Sequence, residues 1–413
     1  MPRTPIDRLQ PGVFISLTAI GWLRHPFMFN EFRIATDKQI QALKALGLKE
    51  IDWDPARSTA EPLPAAAPVA ADEEDFGALA LSGMLDDKKH RIARVRQRRE
   101  QFARREREYE KDAMAAGEIL KGIAGRPNEL HAQARSLVGR VVGTLIGAEN
   151  DIIQLVNSKA KDAGLAFHAM NVMFLSLMLG KAMQLEEEEL KALGLGAMLH
   201  DVGKGDVPAR ILRASERTAP EEEFYRAHVG YGIKAVAGVR ELPTAVKNVI
   251  ACHHEHFDGS GFPNRLAGEK IPRLARLVAL ANRYDNLCNP FDIRQAKTPA
   301  EAIAHLFKHE AARYQPEALQ LFVKTLGVFP PGSFVALSNG AIGLVIEVDS
   351  RDLLRPTVML HDADIPRNEA ILLDLRDTDL KIASAISPAS LPIEIVEYLA
   401  PRGRVDYYVE GTN

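Results

Sequence analysis

The sequence predicts a mainly α protein: a helical bundle with a small α+β module before it and a short β-rich extension after it. Three observations carry this. Apolar residues recur at helical spacing through residues 126–328, as in Leu137, Val141, Val142, Leu145 and Ile146, or Leu190, Leu193, Leu195 and Met198. Strand-like runs with turn signals are confined to residues 1–58 and 329–413. At 413 residues, 46% apolar and 26% charged, the chain can form two or three cored domains of ordinary soluble composition.

In residues 1–58, Val13–Leu17 alternates, a helix is expected around Asp37–Leu46, and Glu50–Asp54 reads as a strand. Trp22, Pro26, Phe27, Phe29 and Phe32 crowd a loop-rich stretch that reads as a small core. Residues 59–85 open on Pro, Ala and acid, with Glu61-Pro62-Leu63-Pro64, Pro68 and Asp72-Glu73-Glu74-Asp75. Such a stretch buries too little apolar surface to offset its ordering entropy, so a flexible linker is expected. Residues 86–125 carry Arg91, Arg94, Arg96, Arg98, Arg99, Arg104, Arg105 and Arg107 and lack Pro or Gly before Gly117. With apolar positions sparse, this is a charged connector helix. In residues 329–413, Phe334–Leu337 and Ile342–Ile346 flank Asn339-Gly340 as a hairpin, and Thr357–Leu360 and Ala370–Leu375 add strands. There is no internal repeat.

Composition also excludes classes of function. A net charge of −3 gives no electrostatic case for DNA. The most apolar run, Leu165–Met183, is broken by His168, Asn171, Ser176 and Lys181, and reads as a buried helix rather than a membrane span. No apolar run follows Met1-Pro2-Arg3-Thr4, so no secretory signal is expected. Cys252 and Cys288 form no CxxC pair, and two thiols fit a reducing, cytoplasmic setting.

Chemistry concentrates in the helical region at His168, His200-Asp201, His228 and His253-His254, each about 25 to 32 residues from the next. A helical hairpin folds back over such a length, so one group per helix can converge on one point. Imidazole with carboxylate suits Fe, Mn or Zn. Neighbours on a helix point about 100° apart, so each adjacent pair is expected to reach two different ions, with Asp201 spanning both. A two-metal centre requires this, with a bridging water acidified into a nucleophile. Lys204, three residues after Asp201, shares its face and can meet a phosphoryl oxygen. A lone histidine in an apolar helix, such as His168, is ordinarily a hydrogen-bonded core residue; His305, His309 and His361 read as surface residues.

These residues resemble the HD superfamily, in particular its HD-GYP branch. Gly196-Ala197-Met198-Leu199-His200-Asp201-Val202-Gly203-Lys204 matches the HD motif, and Arg226-Ala227-His228-Val229-Gly230 the next histidine segment. His253-His254-Glu255 followed by Asp258-Gly259-Ser260-Gly261-Phe262-Pro263 matches the HHE…DGSGYP signature, with Phe262 in place of tyrosine. The likeness spans about residues 150–300; residues 1–58 resemble the small module of undefined role that often precedes such domains. It implies an HD-domain helical bundle holding two divalent metal ions, iron or manganese, and hydrolysis of cyclic di-GMP, or a related nucleotide, to pGpG or GMP. By position the metal ligands would be His168, His200, Asp201, His228, His253, His254 and Asn282, with Lys204, Asp201 and Asp285 catalytic. Gly261, Phe262, Pro263 and Arg294 would bind substrate.

Four departures stand out. Asn282 replaces a ligand aspartate, Gly164 a glutamate that would serve a third ion, Phe291 an arginine of a phosphate clamp that keeps only Arg294, and Phe262 loses a hydroxyl. The alternative they raise is a catalytically degenerate domain that senses a nucleotide or docks signalling proteins. A homodimer is compatible with either.

Overall fold

The computed structural model describes residues 1–20, 24–27, 29–64, 74–147, 150–156, 164–214, 216–363, 365–400 and 405–412, in two units, 1–102 and 103–413. Trp22 and residues 65–73 lie outside the described residues.

In the first unit, β1 (Arg3–Pro5), β2 (Phe14–Ser16), β3 (Glu31–Arg33) and β4 (Glu50–Trp53) form an antiparallel sheet in the order β1-β4-β2-β3. α1 (Asp37–Ala45) begins at a Thr36/Gln39 capping box and covers the sheet with Ile40 and Leu43. Phe27 is buried and meets Phe32 at 4.6 Å between ring centroids, so these aromatics are core. α2 (Glu74–Gly122) starts inside the stretch expected to be linker. Ala78-Leu79-Ala80-Leu81 are strong helix formers, and they outweigh the acidic, proline-containing segment before them.

The second unit stacks α3 (Pro127–Ile146), α4 (Gly164–Ala182) and α5 (Glu187–Leu199). After a 3₁₀ turn at Val202–Asp206 come α6 (Ala209–Arg213), α7 (Ala219–Arg226), α8 (His228–Ala235), α9 (Thr244–Cys252), α10 (Arg273–Cys288), α11 (Pro299–His309) and α12 (Pro316–Leu326). α4 is apolar all round because α5, α10 and α12 surround it. It is the one described helix long and apolar enough to cross a membrane, and 83% of its apolar window is buried in this bundle.

The helical region also contains a strand that its periodicity hides. β5 (Asn150–Val156), between α3 and α4, joins a seven-stranded sheet with β6 (Phe334–Leu337), β7 (Ile342–Asp349), β8 (Thr357–Leu360), β9 (Leu372–Asp374), β10 (Ile382–Ala385) and β11 (Asp406–Thr412). β11 pairs antiparallel with β5 from Asp406↔Val156 to Thr412↔Asn150. A strand whose partners lie far along the chain leaves only a weak local signal. α13 (Ile393–Leu399) is a helix within the β-rich extension.

Gly203 sets how closely the 3₁₀ turn meets α8. A Cβ there would overlap His228 O and Gly232 N, which are backbone and cannot yield. Gly203→Ala is expected to lower stability by about 3 kcal/mol or more. Gly205→Ala, where a Cβ meets nothing within 4 Å, should stay within about 0.5 kcal/mol. Urea midpoints of the two variants check this.

Candidate metal centre

Five imidazoles, four from helix ends and one from a helix interior, meet around Asp201. His168 comes from α4, and His200 caps α5 just before Asp201. His228 opens α8, and His253-His254 follow the last residue of α9. Three of the imidazoles are aimed by the same device. The last carbonyls of a helix lack intrahelical partners, and an imidazole three residues on donates to one of them. His200 Nδ1 donates to Ala197 O (2.6 Å), His228 Nδ1 to Tyr225 O (2.6 Å) and His253 Nδ1 to Ile250 O (3.0 Å). A carbonyl only accepts, so each Nδ1 carries the proton and each Nε2 presents a lone pair. His168 reaches the same state by donating Nδ1–H to Asp285 Oδ2 at 2.6 Å.

Those Nε2 atoms converge on one carboxylate. Asp201 Oδ2 lies 3.3 Å from His168 Nε2 and 3.2 Å from His200 Nε2. Its Oδ1 lies 3.4 Å from His228 Nε2 and 3.5 Å from His253 Nε2. The residues form two groups that share Asp201: His168 with His200, and His228 with His253 and His254. Both members of the His253-His254 pair fall in one group, contrary to the expectation that adjacent histidines serve different ions. His253 is the helical C-cap of α9 and His254 lies beyond it, so the 100° spacing of helix neighbours does not carry over to the pair.

The donor set fits divalent cations. His168 Nε2, His200 Nε2, His254 Nε2 and Asp201 Oδ1 are buried without a hydrogen-bond partner, a cost that proteins rarely leave unmet. The facing lone pairs of His228 and His253, 3.4 Å apart, also require a positive charge near them. Separations of 3.2–3.5 Å are the edges of a coordination shell with bonds of about 2.1 Å.

Electrostatics agrees with ligation. Burial pushes the imidazolium forms of His200, His253 and His254 down and takes His228 to about 4, so all four are neutral at pH 7. His168 is also penalised by burial, but Asp201 and Asp285 outweigh that and raise it. Burial disfavours the Asp201 carboxylate too; His200 and Lys204 override it and hold the group well below the usual carboxylate range. For the four depressed histidines, the unfolded chain binds protons below about pH 6.5 that the fold refuses, in the case of His228 down to about 4. Chelator-treated protein should therefore lose stability as pH falls from 7 toward 4, with His168 opposing as one group against four. Denaturant midpoints at pH 7.5 and 5 test this.

Lys204 stands over Asp201 because the intervening turn is 3₁₀, where residues three apart eclipse. Its ammonium bonds Asp201 Oδ2 and lies 5.7 Å from the Tyr225 ring centroid. Phe262 stacks on His254 at 4.5 Å and 19°, and the Arg226 guanidinium lies 5.0 Å from the Phe262 ring. Gly261 permits this, since a Cβ there would strike the backbone of residues 254–256. Glu255, 1% exposed, holds the loop by accepting from the backbone N–H of Asn264 (2.7 Å) and Leu266 (2.9 Å). Pro263 is exposed beside Phe262.

Three expected site residues are engaged by other side chains. Asn282 is buried, but its Oδ1 accepts from Asn286 Nδ2 at 2.6 Å, and no described contact joins it to the histidines. Asp285 is fully buried behind His168 and holds it. Arg294 is paired with Asp292 at 2.8 Å with its side chain 85% exposed, and no described contact links it to the cluster. Glu255 and Arg226 were missed as contributors, although both sit inside the matched motifs.

Fold and site define an HD-domain protein, and the HD domain family model matches residues 149–318. Those residues carry an HD domain of phosphodiesterase type; residues 2–133 match a domain of unknown function, DUF3391. The chain is 28% identical over 367 residues to the cyclic di-GMP phosphodiesterase PA4108 of Pseudomonas aeruginosa, covering 87% of this chain and 84% of that protein. It is 29% identical over 166 residues to the cyclic di-GMP phosphodiesterase response regulator RpfG of Xanthomonas campestris pv. campestris, covering 40% of this chain and 44% of RpfG. Bd1817, an HDG"Y"P protein of Bdellovibrio bacteriovorus, superposes with a TM-score of 0.44 and 16% identity, over 78% of this chain and 97% of that one.

Proposed function

We propose that the domain hydrolyses cyclic di-GMP to pGpG or GMP with two divalent cations, iron or manganese. The observation that carries this reading is the split of Asp201, whose two oxygens face two separate groups of imidazole lone pairs. His168, His200 and Asp201 would hold one ion, and Asp201, His228, His253 and His254 the other. Bound there, such ions acidify water and neutralise charge at a phosphoryl group.

The chain's own residues supply the rest. Lys204 sets a fixed ammonium beside Asp201, where charge on a phosphoryl oxygen would build. Phe262, flat on His254, offers an apolar face to a base, with Gly261 and Pro263 shaping the loop. Arg226, over Phe262 and paired with Glu222 at 2.9 Å, brings a guanidinium beside that face and would meet a second phosphate by exchanging this surface partner, a task expected of Arg294. Asp285 acts through His168.

Protein loaded anaerobically with Fe(II), or with Mn(II), is expected to give pGpG or GMP from cyclic di-GMP. Loaded protein that gives neither refutes the reading. It would favour the degenerate alternative, whose supporting observation is the Asn282 oxygen engaged by Asn286. Asn282→Asp adds a carboxylate on α10 one turn before Asp285, which holds His168, and should tighten one ion about tenfold, read by chelator competition.

A further inference from the structure

One half of the cluster is tied to the far C-terminal strand. Asp285 sits on α10 with no solvent exposure, and its Oδ2 takes the His168 Nδ1–H. Its Oδ1 accepts from two amides, Asn171 Nδ2 at 2.8 Å and Asn289 Nδ2 at 2.9 Å. An amide can point either end at a carboxylate, and only its other contacts decide which. For both asparagines those contacts include the segment that opens β11.

Asn289 reads the two backbone groups of Val405: its Oδ1 accepts from Val405 N (2.9 Å) and its Nδ2 donates to Val405 O (2.6 Å). Asn171 Oδ1 accepts from Tyr407 N (3.0 Å), and its Nδ2 also reaches Val405 O (3.1 Å). The strand is fixed in turn by its seven-residue ladder with β5 and by the buried Tyr407 hydroxyl, 2.9 Å from that of Tyr284. A continuous chain of hydrogen bonds thus runs from the β11 backbone through Asn171 and Asn289 to Asp285 and the His168 ring. Among the described residues no comparable chain reaches the other half, where His228 and His253 lean on the carbonyls of Tyr225 and Ile250.

We propose that Val405 and β11 are a positioning element of the metal centre: docked, they turn Asn171 and Asn289 so that Asp285 fixes His168, and the ion of the His168–His200 half is held tightly only then. This rests on the two-ion reading above. It makes the two ions unequal in their dependence on the C-terminal segment, so an event that lifts the strand would release one ion and leave the other.

The test is Mn(II) titration of the full-length protein against a chelator of known affinity, with metal analysis giving the number of ions. Val405→Pro removes the N–H that Asn289 accepts, and Asn289→Ala removes the amide while leaving the strand whole. Loss of an outer hydrogen-bond partner of a metal-bound histidine costs about 10–100-fold in metal affinity. Each variant should bind one ion as the unaltered protein does and the other about 10–100-fold more weakly. Asn289→Ala keeps the question answerable should the proline variant fail to fold. Equal weakening of both ions, or of neither, overturns the proposal. Unaltered protein that binds no ion overturns the two-ion reading itself, a separate result.

Discussion

Asp201→Asn is expected to strip both ions and to cut turnover by about 10³-fold or more, while the fold survives. The substitution is nearly isosteric, so packing around this fully buried side chain changes little. What changes is donor chemistry. Asparagine has one oxygen, and its amide would turn two N–H donors toward one pair of imidazoles whose Nε2 lone pairs already face inward. One half of the cluster loses its shared oxygen outright, and the other keeps a neutral one. The loss of a single charge-stabilising group in an active site costs about 10²–10³, and here two cations depend on one group. His168→Ala and His254→Ala, each confined to one half, should instead leave one ion bound. Metal analysis of the three variants, with circular dichroism to confirm folding, distinguishes a bridge from an ordinary ligand. Two retained ions in Asp201→Asn would remove the physical basis of the centre.

The ligands were legible in the sequence because they lie at helix ends marked by local residues. His200-Asp201 follows an apolar helix, and Gly203 allows the following turn to reach α8, so motif and geometry coincide. The bundle was legible for the same reason, since 3.6-residue periodicity is a local property. What stayed hidden depends on distant partners. β5 is a strand because β7 and β11 flank it, and β11 lies some 250 residues away. Asp285 is expected to be catalytic only by the resemblance; the fold shows both its oxygens committed to His168, Asn171 and Asn289. Arg294 is expected as a phosphate clamp by position, and the fold adds that it pairs with its neighbour Asp292. Arg226 passed unnoticed because its partner Phe262 is 36 residues further on. Charge partners and stacking partners are three-dimensional facts, and residue type alone does not fix them.

Lys204→Met tests what the ammonium is for. Burial opposes its charge, but Asp201 and Tyr225 outweigh that and keep it protonated far above neutral pH, so it acts as a fixed cation rather than a proton donor. Two roles are open to a fixed cation here. If it only neutralises Asp201, bound ions take over that task, and Lys204→Met should retain both ions and nearly full turnover. If it meets charge that develops on a phosphoryl oxygen, kcat should fall about 10²–10³-fold with KM little changed and metal content intact, the pattern of an interaction made in the transition state. We expect the second outcome. The Lys204 side chain is 12% exposed whereas Asp201 is wholly buried, so of the two charged partners Lys204 is the one accessible to an incoming phosphodiester.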